Sequence, residues 1–472
     1  MQDPSALSAL DLSAAISRGD LSCVEVTEAF LDRIDALNPK LNAIVALRPR
    51  DELIAEARAA DEAPRKGPLH GIPFAIKDLA DTADIVTARG SPIYAGHVPA
   101  YDSLLAERIR ASGAIVIGKT NTPEFGMGSH TYNPVYGTTL NPYDMSKSAG
   151  GSSGGAGAAL AARMLAVADG SDMMGSLRNP AAFNNVYGFR PSFGRIPDDN
   201  AGDVYLHELA TDGPMGRSVA DVAMLLDVLA GPDARQPHTL PAEPSFLDRI
   251  EAPVKGRRIG WLGDWDGFFA IEPEVLRLCE QALNVFSDLG CAVEPVTPDF
   301  YPQAMWDSWL TLRHWAIASA READYADPAK RAMLKPEAIW EIEGGLNLSA
   351  LDVHKASAVR SDWLRCVSKL FDSYDALVLP SAQLFPFDAS LSWPATIANR
   401  AMETYHQWMA VVVPVSLLGL PALGAPAGFG AEGLPTGFQI FGRHGNDARI
   451  LQLGQAYHKA TDWPGRRPPE FT

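Results

Sequence analysis

Cysteine is scarce. The 472-residue chain has four, Cys23, Cys279, Cys291 and Cys366, none in a C-x-x-C pair and none beside a histidine cluster. That spacing argues against structural zinc, and no metal is expected. Four reduced thiols suit a cytoplasmic protein. Positive charge is also short, with 40 Lys and Arg against 57 Asp and Glu, a net charge of −17. A surface this acidic repels phosphate, so no nucleic-acid partner is expected. No basic segment followed by an apolar run opens the chain, and no secretory signal is read. Residues 408–430 carry no charge and are long enough to span a bilayer, but Pro414, Pro421 and Pro426 interrupt them. They are expected as buried strands joined by turns, and no membrane partner is expected.

Hydrophobic residues make up 47% and charged residues 21%, ordinary for a globular protein. Leu7–Arg18, Cys23–Leu37 and Arg50–Ala63 have helical apolar spacing, and Asp20 or Ser22 is placed to cap the second. Beyond residue 65, short β-rich runs alternate with helical ones: Ile72–Ile76, Ser103–Ala111, Ala114–Gly118. That alternation marks an α/β protein. Residues 301–372 read as helical and Trp-rich. Ala376–Leu379 and Phe438–Phe441 read as late strands, and Ala448–Thr461 as a final helix. The chain divides into a helical region 1–65, a core 66–235, and a helical insertion with a C-terminal sheet portion over 236–472.

Three segments carry chemistry. Gly71-Ile-Pro-Phe-Ala-Ile-Lys77-Asp78 ends an apolar strand on a lysine, which alone is most simply a snorkelling surface cation. Gly150-Gly151-Ser152-Ser153-Gly154-Gly155 sets two serines among glycines that free the backbone and admit close approach. It is not a phosphate loop, because no lysine follows. Asp169-Gly-Ser-Asp-Met-Met-Gly-Ser176-Leu-Arg178 presents a serine on a tight turn after a strand, where backbone N–H groups converge. His70, His97 and His130 lie among these segments and offer a histidine as rival base, but no Ser-His-Asp order accompanies them.

Taken together, and with Gly118-Lys-Thr-Asn-Thr-Pro-Glu-Phe125, Asn141-Pro142 and Gly433-Leu-Pro-Thr-Gly-Phe-Gln-Ile440, the ordered set resembles the amidase signature family along nearly the whole chain. Ser152 and Ser176 stand 24 positions apart, as in that family. The resemblance implies a single large domain, residues 1–472, with a central mixed β-sheet flanked by helices. It implies an amidohydrolase needing no cofactor and acting on a small-molecule amide. Ser176 is implied as the acylated nucleophile, Ser152 as a bridging serine after a cis Gly151–Ser152 peptide, and Lys77 as the base. The oxyanion donors would be the backbone N–H groups of Met173, Met174, Gly175 and Ser176. Met174 departs from the family's usual glycine, which adds bulk and narrows the backbone angles available.

The chemistry fits these roles. A serine hydroxyl needs an adjacent base, and burial can make a lysine neutral enough to serve. Asp172 and Arg178 are expected to pair and brace the turn, with Ser153 and Ser171 as supporting hydroxyls. Apolar residues near the motifs (Phe125, Met127, Tyr132, Tyr136, Met173, Met174, Phe183) suit small aryl or alkyl amides, anilides or carbamates. Side chains between residues 301 and 408 would complete the pocket. The alternative is the glutaminase subunit of a tRNA-dependent amidotransferase, which Glu124–Asn133 resembles somewhat. A binding protein without activity is disfavoured by the intact lysine and serines. A homodimer is left open.

Overall fold

The computed structural model describes residues 3–198, 203–206 and 208–471. Three helices lead, α1 (Ala9–Arg18), α2 (Cys23–Leu41) and α3 (Arg50–Glu62). Ser22, not Asp20, caps α2. Its hydroxyl accepts the Glu25 amide at 3.1 Å, and the Glu25 carboxylate accepts the Ser22 amide at 2.8 Å. This reciprocal pair satisfies two amides that the first helical turn leaves without partners.

A small sheet follows, with strands β1 (Ile44–Val45), β2 (Pro73–Lys77) and β3 (Ile115–Thr120) in the order β1-β3-β2. β2 runs parallel to β3, and every residue of β2 is buried, so the strand carries Lys77 inward. The large sheet has eight strands: β4 (Val167–Asp172), β5 (Tyr187–Arg190), β6 (Thr211–Gly216), β7 (Arg258–Trp261), β8 (Ala292–Pro295), β9 (Ala376–Pro380), β10 (Ala422–Phe429) and β11 (Pro435–Phe441). Their order is β8-β7-β9-β11-β10-β5-β6-β4. β7 is parallel to β8 and β9, and the remaining pairings are antiparallel, so the sheet is mixed. The Lys77 amide donates to both Asp169 carboxylate oxygens (3.1 and 3.2 Å), tying the end of β2 to β4.

Helices flank this framework. α4 (Leu104–Ala111) precedes β3, and α5 (Gly154–Ala161) is buried along its whole length. α5 is built of small residues because it lies against backbone. A Cβ on Gly155 would stand 2.3 Å from the Asn121 amide nitrogen. α6 (Arg178–Phe183), α7 (Val219–Leu229) and α8 (Pro273–Asp288) pack on the large sheet. α9 (Pro302–Ala326), α10 (Pro336–Leu346) and α11 (Ala350–Ser373) form the predicted helical stretch, and α12 (Asp447–Thr461) lies near the chain's end, followed by one helical turn at Trp463–Arg466. Residues 231–257 hold no helix or strand. The single α/β domain with its large mixed sheet agrees with the expected class.

Residues 408–430 differ from expectation. They contain a 3-10 run (Gln407–Val412), one helical turn (Val413–Ser416) and a single strand, β10. Pro414 sits in the first turn of that helix, where a missing N–H costs nothing. Nearly all of the stretch is buried, so it is core as expected, but only its second half is sheet. Among the described residues, no helix is long and apolar enough to cross a membrane.

Candidate active site

The end of β2, the Gly/Ser loop before α5 and the turn after β4 meet at one place. Lys77 is 2% exposed. Its Nζ lies 2.8 Å from Ser152 Oγ, 2.9 Å from Ser153 Oγ and 3.0 Å from Ser171 Oγ. Burial pushes the Lys77 pKa down to about 8, and the opposing pull of Asp169, Asp212 and Asp172 is weaker. Ser153 and Ser171, expected only as supporting hydroxyls, thus touch the lysine directly.

The loop carrying Ser152 is held from several sides. The Gly151–Ser152 peptide is cis, as the resemblance implies. The Gly151 amide donates to Asn179 Oδ1 at 3.1 Å, and the Thr131 amide and hydroxyl donate to the Gly150 carbonyl at 3.0 and 2.8 Å. The Ser153 amide donates to the Ser176 carbonyl at 3.2 Å, joining the two serine segments.

The rival histidines are occupied elsewhere. His130 Nε2 lies 3.1 Å from the Ala389 carbonyl, and Nδ1 lies 2.7 Å from Ser148 Oγ, which accepts the Gly150 amide. Burial holds His130 down to about 4, so it is neutral and braces the loop. His70 reaches the Ala60 carbonyl, and His97 packs edge-on against Tyr94.

Ser176 is 7% exposed and follows a turn built around Asp172. That carboxylate accepts the amides of Gly175 (2.8 Å) and Leu177 (3.3 Å), Arg178 Nε and Nη2 (2.9 and 2.8 Å) and Arg190 Nη1 (3.1 Å). Burial alone would raise the Asp172 pKa, but the two arginines outweigh it and hold the group well below the usual carboxylate range. Arg178 also donates to Ser416 Oγ (2.6 Å), the Val412 carbonyl (3.2 Å) and Gln439 Oε1. The expected Asp172–Arg178 pair is therefore present, but as part of a larger buried network.

The Gly175 amide, expected among the oxyanion donors, is engaged by Asp172 Oδ1 and holds the turn. The backbone is left-handed at Gly175 (φ 78°) and not at Met174, so the residue at 174 changes bulk rather than backbone path. Gly175 itself is fixed by space, because a Cβ there would meet Val412 at 2.9 Å.

Ser152, Ser171, Met173, Met174 and Ser176 line one cavity of about 490 Å³. Of the apolar residues expected at the pocket, Phe125, Met127, Met173 and Met174 line it, whereas Tyr132, Tyr136 and Phe183 do not. Arg313, Ile317, Arg321, Asp324 and His406 complete it from the later half of the chain, as the expected 301–408 contribution. Arg190, Lys119 and Arg313 were not singled out from sequence. Lys119 is a second buried lysine, one residue into the Gly118–Phe125 motif. Its Nζ donates to the Ala80 carbonyl (2.6 Å) and Thr82 Oγ1 (2.8 Å). Among the described residues, no cluster of three or more His, Cys, Asp or Glu is placed to hold a metal ion.

This α/β framework, with its buried lysine and serine loops around one cavity, is that of an enzyme. The family model described as Amidase matches residues 25–451, and the chain belongs to the amidase signature family, hydrolases of amide C–N bonds. The chain is 35% identical to an acylamidase of Rhodococcus erythropolis over 98% of its length and 97% of the relative's. It is also 35% identical to a glutamyl-tRNA(Gln) amidotransferase subunit of Chloroflexus aurantiacus, covering 96% of each chain. A crystal structure of a bacterial aryl acylamidase of the same family superposes with a TM-score of 0.89 at 28% identity, covering 98% of this chain and 99% of that one.

Proposed function

We propose that this enzyme hydrolyses small neutral carboxylic amides, aryl or alkyl, through an acyl-enzyme on Ser176. The observation that carries the reading is Lys77 Nζ, buried and 2.8 Å from Ser152 Oγ, in a site whose cavity Ser176 also lines. Lys77 in its neutral form takes the proton of Ser152, which takes that of Ser176 as Ser176 Oγ attacks the carbonyl carbon. The same path, reversed, delivers the proton to the leaving amine, and water then cleaves the acyl-enzyme by the same relay. The amides of Met173, Met174 and Ser176 are the donors for the oxyanion, while the Gly175 amide holds the turn through Asp172. Four unpaired cysteines suit a cytoplasmic setting.

The amidotransferase reading has equal sequence identity behind it. Against it stands Met174, a bulky residue lining the cavity two positions before the nucleophile. The purified chain, alone, is to be offered anilides, alkyl amides and glutamine. Turnover of anilides without a partner is the expected result. Glutamine hydrolysis alone, or activity only with added partner proteins, would favour the second reading.

A further inference from the structure

Arg313, on α9, is a buried cation in the cavity wall that this chemistry leaves unused. Its guanidinium is held on two edges. Nε donates to Glu341 Oε1 at 2.5 Å, and Nη2 donates to the Tyr405 hydroxyl at 2.7 Å. Tyr405 in turn donates to the same carboxylate oxygen at 2.7 Å and stacks on His406, with ring centroids 4.5 Å apart. The third edge faces the nucleophile turn, where Nη1 donates to the Met173 thioether at 3.2 Å. A thioether is a weak acceptor on a flexible side chain, so a guanidinium edge is poorly satisfied there and is easily uncovered. Met173 precedes Ser176 by three residues, so this donor points at the segment that receives the substrate.

Charge limits what can dock. Glu341 already neutralises Arg313, and two other cavity cations, Arg89 and Arg321, face Asp81 and Asp324. A substrate carboxylate would find no surplus positive charge, whereas a neutral carbonyl oxygen needs only the donor.

We propose that Arg313 Nη1 receives a second acceptor oxygen on the substrate, displacing the Met173 thioether, so that the enzyme prefers neutral amides carrying a further carbonyl group. This rests on the cavity being the amide site. A hydrogen bond from a charged donor is worth roughly 10- to 100-fold in binding.

The test pairs keto amides with their parents: 4-oxopentanamide with pentanamide, 5-oxohexanamide with hexanamide, 6-oxoheptanamide with heptanamide. In the wild-type enzyme at least one keto amide is expected to exceed its parent about tenfold in kcat/KM, chiefly through KM. That ratio is expected to fall to about one in Arg313→Met. Because the single change strands the buried Glu341 charge, the double variant Arg313→Met/Glu341→Gln is measured beside it. A purely structural Arg313 would alter both substrates of a pair alike and leave the ratio unmoved. No preference in the wild type for any keto amide, or a preference that survives in either variant, overturns the inference. If neither plain nor keto amides are turned over at all, the functional reading fails first and takes the inference with it.

Discussion

Arg178 and Arg190 are buried with a carboxylate between them, whereas Lys77 is buried among three serine hydroxyls. All three cations are withdrawn from water, yet their fates diverge. The arginines hold Asp172 ionised, and Arg190, which burial lowers to about 10 from 12.5, still keeps its proton, so that region is a fixed brace for the turn. The hydroxyls around Lys77 carry no countercharge, and desolvation leaves its proton loosely held. The difference shows how one fold makes a rigid charge and a mobile proton side by side, with Ser171 touching the lysine and Asp172 the arginines. What separates them is the higher starting value of a guanidinium together with its carboxylate partner, not the depth.

The largest way to break the comparison is Lys77→Met. It should lower kcat/KM by about 10³- to 10⁴-fold, read with any turned-over anilide. Stability should move the other way. Because the folded pKa of about 8 lies below the free value of 10.5, the unfolded chain binds more protons between them, and wild-type stability rises with pH across that window. The Met variant should lose this rise and have a Tm at pH 7 no lower than wild type. A sharp drop in Tm would show that the lysine is structural.

Asp172→Asn tests the other region. Removing the countercharge strands two arginines and should cost about 3–5 kcal/mol in urea unfolding. In the wild type the Asp172 contribution is present above the ordinary value of 3.8 and is lost as pH falls below it. The variant's stability should therefore depend less on pH in acid. Met174→Gly comes next. It leaves the backbone path alone and opens the cavity, so bulky anilides should gain about tenfold in kcat/KM over small ones. An unchanged preference would mean that Met174 does not shape the pocket. The smallest change is Ser171→Ala, which removes an acceptor for the Lys77 ammonium and not the bridging serine. It should move the Lys77 titration to lower pH by up to about one unit, with a loss of less than about tenfold in rate.

Much of this was legible in the sequence, because each motif announces itself by its own composition and order along the chain. Lys77, Ser152 and Ser176 stand out by residue type within unusual backbone, and helix spacing located α2, α3 and α12 to within a few residues. What stayed hidden depends on contacts across the fold. Arg190 lies on a short strand, and only β5–β6 pairing beside β4 brings it to Asp172. Arg313 and Tyr405 are 92 positions apart and meet through Glu341 on α10. Nor does the composition of residues 408–430 distinguish buried helical turns from buried strands, since both are apolar throughout. The commitment of the Gly175 amide to Asp172 is likewise a matter of geometry that no motif encodes.

The central claim is that Lys77, its pKa lowered by burial to about 8, is the base. The pH dependence of kcat/KM for a neutral amide tests it most directly. The prediction is a rise of about tenfold per pH unit that levels off near pH 8, with that limb absent from the residual activity of Lys77→Met. A profile that is flat from pH 7 to 9, or one that levels near the ordinary histidine value of 6.5, would contradict it.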